Sequence, residues 1–325
     1  MISGLVSVII PVHNRIEFLR EAVDSVLAQT YRPVEIIIVD DGSTEGSLQM
    51  VDAIAQKHPN EISIIHQSNK GAGLAREAGR LLARGEFIQY LDSDDLLLPE
   101  KFELQVRGLR DNDDCDVSYG YTRYRYQDGS VEPRPWKGSG QKVETMFPSF
   151  LVSRWWDTLT PLYRKEICDR AGSWADLRLE EDWEYDCRIA SLGVKLHFCR
   201  EYIAEVRDHS IGRLCKGKVL DPIRLRERAK AHALIFEDAK RGGIDETFPE
   251  MQHFARELFL LSRQCGSAGL IEESQLLFEL SKKASGGLRS KGLDFKIYKL
   301  LSDVFGWKLT GRYSCWRDRL RELAK

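Results

Sequence analysis

The sequence predicts an α/β fold, a mixed, mainly parallel sheet flanked by helices, followed by an all-helical C-terminal extension. Three observations predict it. Short β-branched runs are apolar on both faces, helical repeats alternate with them up to residue 91, and only helical periodicity remains after about residue 221. With 325 residues the chain exceeds one typical domain, so residues 1–218 are read as a ligand-binding α/β unit and 219–325 as a helical appendage. The soft boundary falls near 216–221, where Lys216-Gly217-Lys218 precedes Asp221-Pro222.

The first strand spans Leu5 to Ile10 and is stopped by Pro11. Asn14 and Glu17 have capping-box spacing for a helix carrying Phe18, Ala22, Val23, Val26 and Leu27. Val34 to Val39 is a second buried strand, followed by the turn residues Asp40-Asp41-Gly42-Ser43 and a helix with Leu48, Val51 and Ile54. A third strand, Ile62 to Ile65, leads through Lys70-Gly71-Ala72-Gly73 into a helix with Leu74, Ala78, Leu81 and Leu82. Glu86 to Leu91 is the fourth strand. This alternation requires right-handed crossovers and parallel pairing. Beyond Pro99, the alternation of Asp116 to Tyr126 and the Asp128-Gly129 turn predict antiparallel ribbons. Helices over 164–171 and 181–191 and strands near 194–198 and 202–206 complete the unit.

The 48 Lys+Arg against 50 Asp+Glu give a formal charge of −2, which excludes a chain-wide nucleic-acid surface. Seven cysteines form no C-x-x-C pair and are read as reduced thiols of a cytoplasmic protein. Pro11 interrupts the apolar N-terminal run, and no apolar stretch has the ~18 residues of a spanning helix. The expectation is a cytoplasmic protein, or one peripheral to the cytoplasmic membrane face. From Arg289 to Lys325, ten Lys/Arg outnumber four Asp/Glu, interleaved with Tyr298, Leu300, Leu301, Val304, Phe305 and Trp307. Two readings stay open for this segment: contact with an anionic membrane surface, or a packed helix whose basic face is solvated.

In an open parallel sheet, ligands bind beyond the carboxyl ends of the strands. Polar clusters stand there: Pro11-Val12-His13-Asn14, Asp40-Asp41 and Asp92-Ser93-Asp94-Asp95. Singly, each is also explained by turns and caps. The last concentrates three carboxylates, whose repulsion a hard divalent cation would offset, and Asp92-Ser93-Asp94 has the D-x-D spacing that suits Mn²⁺ or Mg²⁺ with substrate phosphates. Asp40 has the acceptors to hold a base N–H or ribose hydroxyls. Arg76 supplies a cation or is an exposed helix arginine. Glu180-Glu181-Asp182-Trp183 opens a helix, where acidic residues serve the macrodipole or provide a general base. His209 is a metal or phosphate ligand or a plain surface residue.

In order and spacing, Val6 to Asn14 (VSVIIPVHN), Ile36 to Ser43 (IIIVDDGS), Gly71 to Arg76 (GAGLAR), Tyr90 to Leu96 (YLDSDDL) and Glu181-Asp182-Trp183 resemble the family 2 inverting glycosyltransferases with a GT-A, Rossmann-like fold. The likeness covers about residues 5–212. It implies transfer of a sugar from a nucleoside-diphosphate sugar, UDP-sugar in the first instance, to a hydroxyl of a saccharide, lipid-linked or protein acceptor. Cell-surface polysaccharide or glycoconjugate biosynthesis is the implied setting. By the resemblance, Pro11, Val12 and Asp40 hold the nucleoside, Arg76, Asp92 and Ser93 the nucleotide sugar, and Asp94 and His209 a divalent metal, Mn²⁺ or Mg²⁺. Asp182 is then the base, with Glu181 beside it. Two positions depart from the family pattern: Glu77 stands where Asn is common and His13 where Tyr is common. The alternatives are a nucleotidyltransferase or a catalytically silent nucleotide-sugar scaffold. A dinucleotide-dependent dehydrogenase is excluded because no G-x-G-x-x-G follows the first strand.

Overall fold

The computed structural model describes residues 1–44, 47–209 and 220–323. Two compact units divide the chain. The first takes in Met1–Met146, Arg154–Tyr185 and the described part of Leu192–Gly212, and the second Phe147–Ser153, Asp186–Ser191 and the described residues that follow. The expected boundary at Lys216-Gly217-Lys218 lies outside the described residues.

In the first unit, β1 (Ile2–Val12), α1 (Ile16–Leu27), β2 (Val34–Asp41), α2 (Ser47–Lys57), β3 (Ile62–Gln67), α3 (Ala72–Leu82) and β4 (Gly85–Tyr90) alternate as expected. β5 (Leu96–Leu97), α4 (Lys101–Asp111), β6 (Val117–Arg125), β7 (Leu162–Arg164), α5 (Lys165–Ala171), the part of α6 (Glu181–Ala190) up to Tyr185, and β8 (Leu196–Arg207) follow. The eight strands form one sheet in the order β3-β2-β1-β4-β7-β6-β8-β5. β1 pairs in parallel with both β2 and β4, so Val6, Val8, Ile9 and Ile10 are buried on both faces, as the almost continuous apolar character of the run requires.

Three local expectations are corrected. Pro11 does not end β1: the strand runs to Val12, with Pro11 opposite Val39. Its missing N–H points to the β4 side, where the ladder has already closed with the Leu91 N–H donated to the Ile9 carbonyl, so no bond is lost. Asn14 does not cap α1. It adopts φ 50° and its side-chain oxygen accepts the Thr44 N–H at 2.8 Å, tying β1 to the loop after β2. The Asp128-Gly129 turn forms, but only one isolated bridge, Arg125 to Val131, follows it. β6 pairs instead in parallel with β8 and antiparallel with β7, because two bulges let the 194–206 region run as one strand along β6.

The second unit is helical: α7 (Pro222–Arg241), α8 (Pro249–Ala268), α9 (Ile271–Ala284), α10 (Leu288–Lys291), α11 (Leu293–Phe305) and α12 (Trp307–Leu323). Asp221 starts α7 by accepting the Ile223 and Arg224 N–H groups, with Pro222 in the first turn where no N–H is needed. α8 and α9 approach closely through small residues, Ser262 and Ser274 each donating a hydroxyl to the other's carbonyl at 2.6 and 2.7 Å. Phe259, Phe278, Phe295 and Tyr298 form an aromatic core with Trp307 against it, Phe278 and Phe295 stacking at 4.0 Å. Tyr298 and Trp307 thus face inward, separated from the Leu300 and Val304 with which the sequence interleaves them.

The spacing of α3 from the sheet depends on Gly79, because a Cβ there would stand 2.4 Å from Ile9 Cγ2. Gly79→Ala therefore overpacks the α3–β1 seam and costs about 1–3 kcal/mol, read as a lower urea midpoint at unchanged slope. An unaltered midpoint would contradict this packing.

Candidate active site

The strand order reverses at β1, with β2 on one side and β4 on the other, so the loops after β1, β2 and β4 converge at one end of the sheet. Pro11 and Val12 close β1, and the register sets Val12 opposite Asp40. Asp40 is buried. Its Oδ1 accepts the Ser43 N–H at 3.1 Å and its Oδ2 lies 3.3 Å from His66 Nδ1.

The neighbouring Asp41 organises the glycine loop. Its carboxylate accepts the Lys70 and Gly71 N–H groups at 2.7 and 2.8 Å and the Gln67 amide at 2.7 Å. His13 Nδ1 donates to the Asp41 carbonyl at 2.9 Å. Gly71 holds φ 96°, which disfavours a side chain, and at Gly73 a Cβ would stand 3.2 Å from Glu181 Cγ. The glycines thus let the start of α3 come up against the start of α6.

Arg76 exploits that approach. On the first turns of α3, it is only 3% exposed, not the solvated helix arginine that its position alone would allow. Nη2 donates to Asp92 at 2.6 Å and Nη1 to Glu181 at 3.0 Å, so one guanidinium joins the acidic run after β4 to the acidic turn of α6. Trp174 packs 4.9 Å from the guanidinium and stacks on Tyr185 at 4.0 Å. Burial opposes the charge of Arg76, but Asp92, Glu181 and Asp182 outweigh it and hold the group above its ordinary pKa.

Asp94 faces the other way. Its Oδ2 meets His209 Nε2 at 2.7 Å and the Arg15 guanidinium, while the buried His209 Nδ1 has no hydrogen-bond partner among the described residues. Arg207, two residues before His209, donates Nε to the Asp94 carbonyl at 2.6 Å and lies over Phe18, which also packs on the His209 ring at 4.8 Å. One carboxylate oxygen and one imidazole nitrogen are donors that a divalent cation accepts, provided it displaces the Arg15 guanidinium from that oxygen. No third His, Cys, Asp or Glu joins them among the described residues, so phosphates and water would complete its sphere. Asp95 is buried and accepts the Arg207 N–H at 3.1 Å. Burial first, then Asp94 and Asp92, push its carboxyl well above the usual range, so the run need not carry three charges at once. Ser93 is buried between them.

At the start of α6, Asp182 Oδ2 accepts Arg154 Nη1 at 2.5 Å and Oδ1 the Trp183 N–H at 2.8 Å. Burial alone would raise Asp182, but Arg154, then Arg76 and Lys137, together bring it below the usual carboxylate range. Glu181 moves oppositely: burial and Asp182 raise it against the pull of Arg76. Their surroundings thus displace the two adjacent carboxyls in opposite directions. Backbone strain concentrates here as well. Among the described residues, the non-glycine residues at positive φ are Asn14, Lys137 and Glu180, beside Arg15, in the loop facing Asp182, and just before Glu181.

The structure thus joins Arg76, Asp92 and Glu181 directly, pairs Asp94 with His209, and gives Asp182 and Asp40 separate partners. Arg15 and Arg154 escaped the sequence reading, in which Asp41 stands only as part of the strand-end cluster, without its role in holding the glycine loop. Arg15 adjoins a recognised cluster, but Arg154 lies in an irregular loop where no periodicity singles it out.

Residues 7–166 match the profile of Glycosyl transferase family 2. The chain is 38% identical to Glycosyltransferase GlyG of Streptococcus pneumoniae serotype 4 over 129 residues, 39% of this chain and 42% of that protein. It is 42% identical to an uncharacterised glycosyltransferase of Rickettsia typhi over 121 residues, 37% of each. The match therefore spans about two fifths of these relatives' length. Its fold is that of S. aureus TarS residues 1–349 in complex with UDP-GlcNAc, at TM-score 0.69 and 17% identity, covering 96% of this chain and 92% of that one. It also resembles the mannosyltransferase PcManGT of Pyrobaculum calidifontis in complex with GDP-Man and Mn²⁺, at TM-score 0.55 and 16% identity, covering 96% and 87%. The fold class is GT-A, with a helical C-terminal region.

Removing the bridging cation leaves two carboxylates facing one another in a largely buried site. Arg76→Met is expected to cost about 3–5 kcal/mol, and adding Glu181→Gln to recover part of that loss. A urea double-mutant cycle showing purely additive effects would contradict the bridge.

Proposed function

We propose that the chain, whose residues 7–166 match the profile of Glycosyl transferase family 2, transfers a sugar from a nucleoside-diphosphate sugar to an acceptor hydroxyl with inversion at the anomeric carbon. The reading rests above all on Arg76, which holds Asp92 and Glu181 against one another and so places the D-x-D run beside the acidic turn of α6. Asp40, with Pro11 and Val12, receives the nucleoside at the switch point of the sheet. Its buried oxygens suit a uracil N–H or ribose hydroxyls, and UDP-sugar is the donor we assign, as in the TarS complex. Arg76, Asp92 and Ser93 orient the nucleotide sugar. Residues 1–218 carry this chemistry and 219–325 serve contacts outside it.

Asp94 and His209 would hold a divalent cation, Mn²⁺ or Mg²⁺, which when bound neutralises charge on the departing diphosphate. Asp182 takes the proton of the acceptor hydroxyl as its oxygen forms the bond to the anomeric carbon and the bond to the diphosphate breaks. Arg154 and the Trp183 N–H fix both carboxylate oxygens in orientation, and each oxygen keeps a second lone pair for the acceptor. The opposed shifts of the two carboxyls agree with these duties: Asp182 keeps its charge to lower pH than an ordinary carboxylate, while Glu181 is the more readily protonated.

Asp182→Asn removes the proton acceptor while preserving shape, and it is expected to lower transfer by about 10²–10⁴-fold with UDP binding retained. Unimpaired transfer at saturating donor would end this assignment, and pyrophosphate release in place of nucleoside diphosphate would point to a nucleotidyltransferase. In Arg154→Met the burial of Asp182 loses its main opposition, so its pKa rises. The activity lost on acidification should then begin to fall at a higher pH than in the parent protein. A kcat/KM profile with an unmoved acidic limb would show that Arg154 does not act on the base.

A further inference from the structure

The two last helices present apolar side chains outward in a regular pattern. On α11, Leu293, Ile297, Leu300 and Val304, spaced four, three and four residues apart, are 50–76% exposed, while Phe295, Tyr298 and Ser302 on the opposite face are buried. On α12, Leu309, Tyr313, Trp316 and Leu320 repeat the same spacing at 46–59% exposure, while Thr310 and Ser314 are buried. Such spacing places each set of four on a single stripe of its helix. Large apolar residues scattered singly over a surface need no explanation, but two continuous stripes do.

The charges beside the α12 stripe select what covers it. Between Trp307 and Leu320 the helix carries Lys308, Arg312, Arg317 and Arg319 against one acid, Asp318. That acid is engaged by Arg263 from α8, and so does not balance the outward cations. Pairing α12 with a second copy of itself would set these cations against their own kind. An anionic surface would meet them favourably, and an apolar stripe with Trp and Tyr flanked by Arg and Lys matches the boundary between lipid headgroups and acyl chains. No helix among the described residues is long and apolar enough to cross a membrane.

We propose that α12, with α11, is a docking surface for an anionic phospholipid bilayer: Leu309, Tyr313, Trp316 and Leu320 enter the headgroup–acyl boundary and Lys308, Arg312 and Arg319 engage the headgroups. This goes beyond sugar transfer and does not depend on it. The test is co-sedimentation of the full chain with vesicles of phosphatidylcholine alone or mixed with phosphatidylglycerol. The protein is expected to pellet with the mixed vesicles and much less with phosphatidylcholine alone, and to be released by salt. Trp316→Glu with Leu320→Glu, two exposed positions whose change spares the core, should lower the bound fraction at least about tenfold with the urea midpoint preserved. Arg312→Glu with Arg319→Glu should remove the preference for the anionic lipid. Failure to bind the mixed vesicles, or equal binding to both kinds, overturns the proposal. So does light scattering that shows a lipid-free dimer which the Trp316/Leu320 variant dissociates, because the stripe would then be covered by a second copy.

Discussion

The site depends on a single buried cation. Arg76 stands between two carboxylates from segments far apart in the chain, Asp92 after β4 and Glu181 at the start of α6. Burying a guanidinium opposes its charge, and only several anions together restore it. The acids in turn crowd one another: Asp92 lies in a run of three, and Glu181 adjoins Asp182. The buried guanidinium therefore depends on these acids, and it offsets part of their mutual repulsion. Its geometry is set by small residues, Gly71 and Gly73, which admit the start of α6 to α3, and Gly79, which seats α3 on β1.

Around that centre the charges are divided into paired compartments. Asp94 has His209 and Arg15, Asp182 has Arg154, and Asp41 serves backbone amides of the glycine loop. Asp95 is buried and disposed to hold its proton, which relieves the repulsion of its neighbours. The opposed displacement of Glu181 and Asp182 has separate causes: burial and the neighbouring Asp182 raise Glu181 against the pull of Arg76, while Arg154, then Arg76 and Lys137, overcome burial at Asp182. Positive φ at Asn14, Lys137 and Glu180 shows that the backbone is held against its local preference at the places from which these side chains are presented.

Much of this was legible in the chain. The parallel part of the sheet is announced by runs such as Val34 to Val39, whose apolar character on both faces leaves no other economical arrangement, and the acidic strand ends stand out by charge density. What escaped has identifiable causes. Pro11 looks like a strand terminator until the neighbouring ladder is known to have closed one pair earlier. Asn14 has the spacing of a helix cap, yet its amide bonds a backbone group thirty residues away, which no local rule anticipates. β6 alternates like an antiparallel ribbon but finds its main partner in β8, a pairing fixed by tertiary closure. Arg154 carries no periodic signal, and its importance exists only through the carboxylate it meets. In the C-terminal helices the sequence mixes two faces, and only the structure separates the buried Tyr298 and the partly buried Trp307 from the outward Leu300 and Val304.

The central claim is that these separately paired acids carry out a single displacement on a nucleotide sugar. It is tested most directly by the configuration of the anomeric carbon in the product formed from an α-linked UDP-sugar, read by proton NMR with an acceptor that the enzyme accepts. A β-linked product with release of UDP is the predicted result. An α-linked product would contradict the account, since an acceptor activated by Asp182 attacks from the face opposite the departing diphosphate, whereas retention delivers it to the face that the diphosphate leaves.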